Sequence, residues 1–256
     1  WFRHRSSPRH PVSLRAVLRK IAIAATAVKI TVAIGRTQAL DGCIYLDHRL
    51  SDVERHKITF AGDLILLSRQ PSTMALCKYA QEIVAAALEP HLPERAQEFL
   101  DVETFAAKVG RAKREFTNDR RTKELVRELL ANFGCDLKRT YFDVPRLRVV
   151  PHGEYLTAGV SYAYKLHRDI WYSSPCCQTN YWMPIFPVVP DGAMSLYPAH
   201  WSADLPNSSA EFDYAEWCQA GRKQAQCQIK QDTRDHPLPL APVDVTSELR
   251  IAGTTG

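Results

Sequence analysis

Thr140-Tyr-Phe-Asp-Val-Pro-Arg-Leu-Arg-Val-Val150 marks the place where the chain changes character. Before it, over residues 72–134, apolar side chains recur every three or four positions. After it, aromatic and β-branched residues come in short runs: Leu147-Arg-Val-Val150, then residues 156–164, 179–186 and 193–197. Pro151, Gly153, Pro175 and Pro190-Asp-Gly192 break these runs, a pattern expected of an antiparallel sheet, sandwich or barrel. Helices first and strands afterwards predict an α+β fold, helical over about 72–134 with a β-core over about 140–256.

Three helices are expected upstream. Ser72 is placed to cap the first, whose apolar stripe is Leu76, Tyr79, Ile83, Val84, Ala87 and Leu88, with Pro90 and Pro93 ending it. Asp101 with Thr104 opens the second, carrying Phe105, Val109, Ala112 and Phe116. The third begins near Thr122, carries Leu125, Val126, Leu129, Leu130 and Phe133, and meets Gly134 as a left-handed stop. Stripes of this spacing support a core and are assigned no function.

Further back, residues 1–40 hold eight Lys or Arg and no Asp or Glu, although the whole chain has net charge +5. Without those eight, 25 basic residues face 28 acidic ones, a net charge of −3. The basic character therefore belongs to an extension, residues 1–45, expected to be disordered or a targeting segment. The domain of residues 46–256 is expected to have no nucleic-acid partner. The apolar stretch 21–34 is interrupted by Lys29 and is shorter than the roughly 20 residues that cross a bilayer, so no stable membrane insertion is expected. Seven cysteines are scattered without metal-ligand spacing, and only Cys176 and Cys177 are adjacent. A reduced, cytoplasmic protein is the simplest account.

Downstream of Thr140, the run Ser161-Tyr-Ala-Tyr-Lys-Leu-His167 ends in His167-Arg-Asp169. On a strand, residues two apart share a face, so this imidazole and carboxylate can converge on one ion. Spacing alone leaves two readings open, a metal pair or a salt-bridged surface pair. Gln178, Asn180 and Trp182 alternate in the same way and are expected to face one side. The Arg146 and Arg148 pair reads as solvated strand charge or as the lining of an anion site.

Longer runs add to this. Tyr141-Phe-Asp-Val-Pro-Arg-Leu-Arg148, Tyr155-Leu-Thr-Ala-Gly-Val-Ser-Tyr-Ala-Tyr164, His167-Arg-Asp-Ile-Trp-Tyr-Ser-Ser-Pro175 and Gln178-Thr-Asn-Tyr-Trp-Met-Pro-Ile185 together resemble a family of bacterial proteins. It is the phytanoyl-CoA dioxygenase-like part of the Fe(II)/2-oxoglutarate-dependent oxygenase superfamily. The likeness continues through Tyr197-Pro-Ala-His-Trp201, Phe212-Asp-Tyr-Ala-Glu-Trp217 and Asp232-Thr-Arg-Asp-His-Pro237. It covers roughly 52–251 and is specific in 135–237.

The resemblance implies a double-stranded β-helix, or jelly roll, with N-terminal supporting helices. It implies Fe(II) and 2-oxoglutarate as cofactors, His167 and Asp169 as catalytic iron ligands, and C–H hydroxylation of a small-molecule substrate. If the shared face of Gln178, Asn180 and Trp182 is the cavity side, these three are the expected cosubstrate contacts, Asn180 reading either as a hydrogen-bond partner of its carboxylate or as a buried, satisfied strand polar residue. Asp169, a carboxylate where related halogenases carry a small residue, favours hydroxylation over halogenation. The family pattern also requires a distal His and, about ten residues on, an Arg that grips the cosubstrate carboxylate. Both are expected after a segment like Leu249-Arg-Ile-Ala-Gly253, and the sequence stops at Gly256. The expectation is a fragment that binds iron weakly, with His200 and His236 the histidines left downstream. The alternative is a non-catalytic scaffold that keeps the jelly-roll core.

Overall fold

The computed structural model describes residues 44–162, 165–221, 224–225 and 228–256, together with the backbone of 31–34. Strands β1 (Thr31–Ile34) and β2 (Ile44–Leu46) come first, followed by helix α1 (Asp52–Phe60) and strand β3 (Leu64–Leu66). The Ser51 hydroxyl accepts from the Glu54 N–H while the Glu54 carboxylate accepts from the Ser51 N–H, a reciprocal cap that starts α1. The parallel pair β2–β3 brackets that helix.

Three longer helices form the main core: α2 (Pro71–Leu88), α3 (Val102–Asn118) and α4 (Arg120–Asn132). Two caps are side chains. The Asp101 carboxylate accepts from the Thr104 N–H at 2.8 Å, and the Asp119 carboxylate accepts from the Arg121 N–H at 2.6 Å. Gly134 sits at φ +75° just past α4, as expected of a left-handed stop. At α2 the expected cap is displaced: Gln70 holds the cap position, Pro71 fills the first turn, and Ser72 is buried inside the helix. The apolar stripes meet in one cluster containing Leu76, Ile83, Val84, Phe105, Val109, Phe116, Leu125 and Leu129.

The second half differs from its sequence pattern. Of the four strand-length runs, only 193–197 contains a strand, β4 (Ser195–Leu196); 147–150, 156–162 and 179–186 carry none, and 163–164 lie outside the described residues. Gly159–Ser161 is instead a single 3-10 turn. The apolar residues of these runs cover the helices: Leu147, Leu156 and Val160 are buried in the helical core, and the Tyr155 ring meets Phe105 edge-to-face at 5.3 Å. Their backbone is satisfied by a distant loop, since the N–H groups of Thr157 and Ala158 both donate to Ile229 O at 3.1 Å. Burial against helices thus outcompetes ladder formation here.

Strand β5 (Leu249–Ala252) lies between β1 and β4 in an antiparallel three-stranded sheet. Thr31–Ile34, within the stretch read as an extension, is therefore paired with the last strand, whereas residues 1–30 and 35–43 lie outside the described ones. No helix among the described residues is long and apolar enough to cross a membrane. The described cysteines, Cys77, Cys135, Cys176, Cys177 and Cys218, are free thiols.

Candidate functional site

His167 and Asp169 do meet, by a turn rather than along a strand. Arg168 is extended, and Asp169 opens the one-turn 3-10 helix Asp169–Tyr172, closed by Ser173 at φ +59°. This turn buries Trp171 and folds the Asp169 carboxylate back, so His167 Nε2 and Asp169 Oδ1 stand 3.3 Å apart. The other ring nitrogen, Nδ1, faces the Lys165 carbonyl oxygen at 2.7 Å. That carbonyl can only accept, so Nδ1 carries a proton, and the space between Nε2 and the carboxylate then calls for a cation. A proton or a metal ion would fill that space.

The carboxylate is itself oriented. The Asn180 side-chain amide donates to Asp169 Oδ2, and the Gln178 amide donates to Asn180 Oδ1 at 2.7 Å. Hydrogen bonding from His167 holds the Asp169 carboxyl below the usual range; burial opposes this, and Asn180 and the Arg148 charge add to it. Trp182 leaves 43% of its surface exposed. Of the three residues expected at the cosubstrate, two thus form a hydrogen-bonded chain that ends on the Asp169 carboxylate.

Ferrous iron fits this pair in part. Two ligands each about 2.1 Å from an ion and at right angles stand about 3 Å apart, close to the observed separation. Among the described residues no group of three His, Cys, Asp or Glu surrounds a possible ion. The two downstream histidines are engaged elsewhere: His200 Nε2 faces Asp244 O at 2.6 Å, and His236 Nδ1 faces the Tyr172 hydroxyl at 2.9 Å. Arg168 faces away from the pair and donates to the carbonyls of His200 and Ala203.

Behind Tyr172 lies a network that spacing did not reveal. His236 Nε2 stands 3.4 Å from Asp232 Oδ1, and Arg234 grips the same carboxylate through Nε at 2.7 Å and Nη2 at 2.5 Å. All three side chains are 6% exposed or less. The ring of Tyr162 stacks on His236 at 4.0 Å, and Trp217 meets it edge-on at 5.1 Å. The Tyr172 ring lies 5.4 Å from His167, so the network buttresses the His167–Asp169 pair through one aromatic ring. Burial would raise the Asp232 carboxyl, but the Arg234 guanidinium and the Gly159 N–H outweigh it and hold it down at about 2. Burial lowers the His236 pKa, the nearby Asp232 notwithstanding. The alternation Asp232, Arg234, His236 was the one sequence signal for this cluster.

Set against family models, curated proteins and solved structures, the chain matches none.

Proposed function

We propose that the described residues, β1 included, belong to a domain of the Fe(II)/2-oxoglutarate-dependent oxygenase type, in which His167 and Asp169 provide two adjacent ligands to one ferrous ion. The observation that carries this reading is the 3.3 Å approach of His167 Nε2 to Asp169 Oδ1, with Nδ1 committed to Lys165 O. That arrangement presents the Nε2 lone pair and a carboxylate oxygen to the same point. When bound, iron and 2-oxoglutarate supply the oxidant for hydroxylating a C–H bond of a small molecule.

The chain's own residues do the positioning. Lys165 O fixes the imidazole tautomer, Asn180 fixes the carboxylate, and Gln178 fixes Asn180. A jelly-roll core around the pair belongs to the same proposal, and the antiparallel sheet β1–β5–β4 is compatible with one piece of it. Two ligands, the number found among the described residues, hold a metal less firmly than three, so weak binding and slow succinate formation belong to the same proposal.

Anaerobic titration with Fe(II), followed by the spectrum of its nitric oxide adduct, tests the assignment. Binding should disappear in His167→Ala and Asp169→Ala and weaken about tenfold in Asn180→Ala. Unchanged Fe(II) binding in the two ligand variants would sink it.

A further inference from the structure

On the far side of the Asp232 network, five cationic side chains among the described residues converge on one cleft. Lys113 and Arg114 come from α3, Arg146 and Arg148 from the segment after Thr140, and Arg234 from the loop that follows Ile229. The cleft holds about 200 Å³, and neither Asp nor Glu is among the described residues that line it. Nearby carboxylates answer some of this charge: Asp143 pairs with Arg146 at 2.5 Å, Asp232 pairs with Arg234, and Asp169 lies in the field of Arg148. Five cations against three carboxylates leave the cleft with an excess of positive charge.

Lys113 shows the cost of that excess. Its ammonium donates to the Val160 carbonyl at the cleft wall, yet its pKa is pushed down to about 8, first by burial and then by Arg148, Arg234 and Arg146. Like charges gathered around a buried amine oppose folding unless an anion joins them. Tyr162 and Trp217 line the same cleft, and the Arg234 guanidinium lies 5.8 Å and 5.1 Å from their ring centroids, which holds its fork in place.

The shape narrows the ligand. Pockets that enclose a whole drug-sized molecule start at about 300 Å³, so this one seats a charged group while the rest of the ligand lies in the opening. Guanidinium forks match tetrahedral oxyanions bidentately, and several cations in one enclosed space favour a multivalent anion over a single carboxylate. We propose that this cleft binds the phosphate or diphosphate group of a small molecule. The site stands apart from the iron reading, because none of the five cations is an iron ligand. Arg148 joins the two, since it lines the cleft and acts on Asp169.

Titration calorimetry of the 256-residue chain with inorganic diphosphate at low ionic strength tests the proposal. One diphosphate should bind per chain, and Arg146→Gln and Arg148→Gln should each weaken it about tenfold. Both residues are exposed, so these variants should keep the parent's circular dichroism and melting temperature. Lys113→Met should weaken binding as well, and Arg250→Gln, which removes a cation paired with Glu248 on β5, should not. In the parent, affinity should fall as pH rises through about 8, where Lys113 loses its proton among Arg114, Arg146, Arg148, Arg234 and Asp232. The proposal is overturned if diphosphate does not bind, if binding survives both Arg variants, or if 2-oxoglutarate or single-stranded RNA binds more tightly than diphosphate.

Discussion

The helices α2–α4 and the segment after Thr140 are held by contacts of different range. Each helix carries its instructions within itself: apolar residues three and four apart, Asp101 and Asp119 as caps, Gly134 as a stop. The later segment is fixed from a distance. Residues 157–159 hang on Ile229 and Asp232, Lys230 reaches back to the carbonyls of Glu154 and Tyr155, and the Thr73 hydroxyl donates to Gly256 O. Short-range contacts give a robust scaffold, while long-range ones bring together the charges from which a site is made.

The sharpest way to break this contrast is Gly159→Ala. Gly159 sits at φ +62°, and a methyl there would overlap the carbonyl oxygens of Ala225 and Gln228, both backbone atoms. Backbone strain and overlap together should cost about 4 kcal/mol in urea unfolding. Gly153→Ala, at φ +63° with nothing within 4 Å of the added atom, should cost about 1 kcal/mol. Equal losses in the two variants would show that the clasp between 157–161 and 225–232 is not what holds the second half.

A middling effect is expected from acid. The Asp232 carboxyl is depressed in the folded state to about 2 from an ordinary value of 3.8. Its contribution to stability is therefore complete above about pH 4 and lost as pH falls through about 2, and it amounts to roughly 2 kcal/mol. The unfolding free energy of Asp232→Asn should accordingly lie below the parent's by about that amount near neutrality, the two converging towards about pH 2. A gap that persists at acid pH would assign the effect to packing instead of charge.

The smallest effect belongs to the helical half. Asp101→Ala removes an acceptor for both the N–H and the hydroxyl of Thr104 and should cost about 1 kcal/mol, read as a small drop in melting temperature. A loss several times larger would mean that the helices depend on single contacts as much as the later segment does.

Seen against this, the parts of the site that could be read from sequence are the local ones. His167 and Asp169 are two residues apart, and the convergence expected from that spacing is present, though a 3-10 turn produces it. Gln178 and Asn180 were expected on one face and do act together, yet their target is the Asp169 carboxylate. The strand pattern at 147–150, 156–162 and 179–186 misled because β-branched and aromatic residues suit any half-buried surface, including the flank of a helix. His236 carried no sign of its aromatic partners, since Tyr172 lies 64 residues away and Tyr162 further still.

By itself the sequence determined the three long helices, the cap at Asp101, the stop at Gly134 and the pairing of an imidazole with a carboxylate. Each of these depends on residues within about four positions of one another, where backbone geometry leaves few alternatives. Only the tertiary structure decided that Lys113 on α3, Arg146 and Arg148 after it, and Arg234 near the chain's end share one cleft. Spacing carries no information about such convergence, which is set by the burial of Leu147, Leu156 and Val160 against the helices and by the tight approach at Gly159.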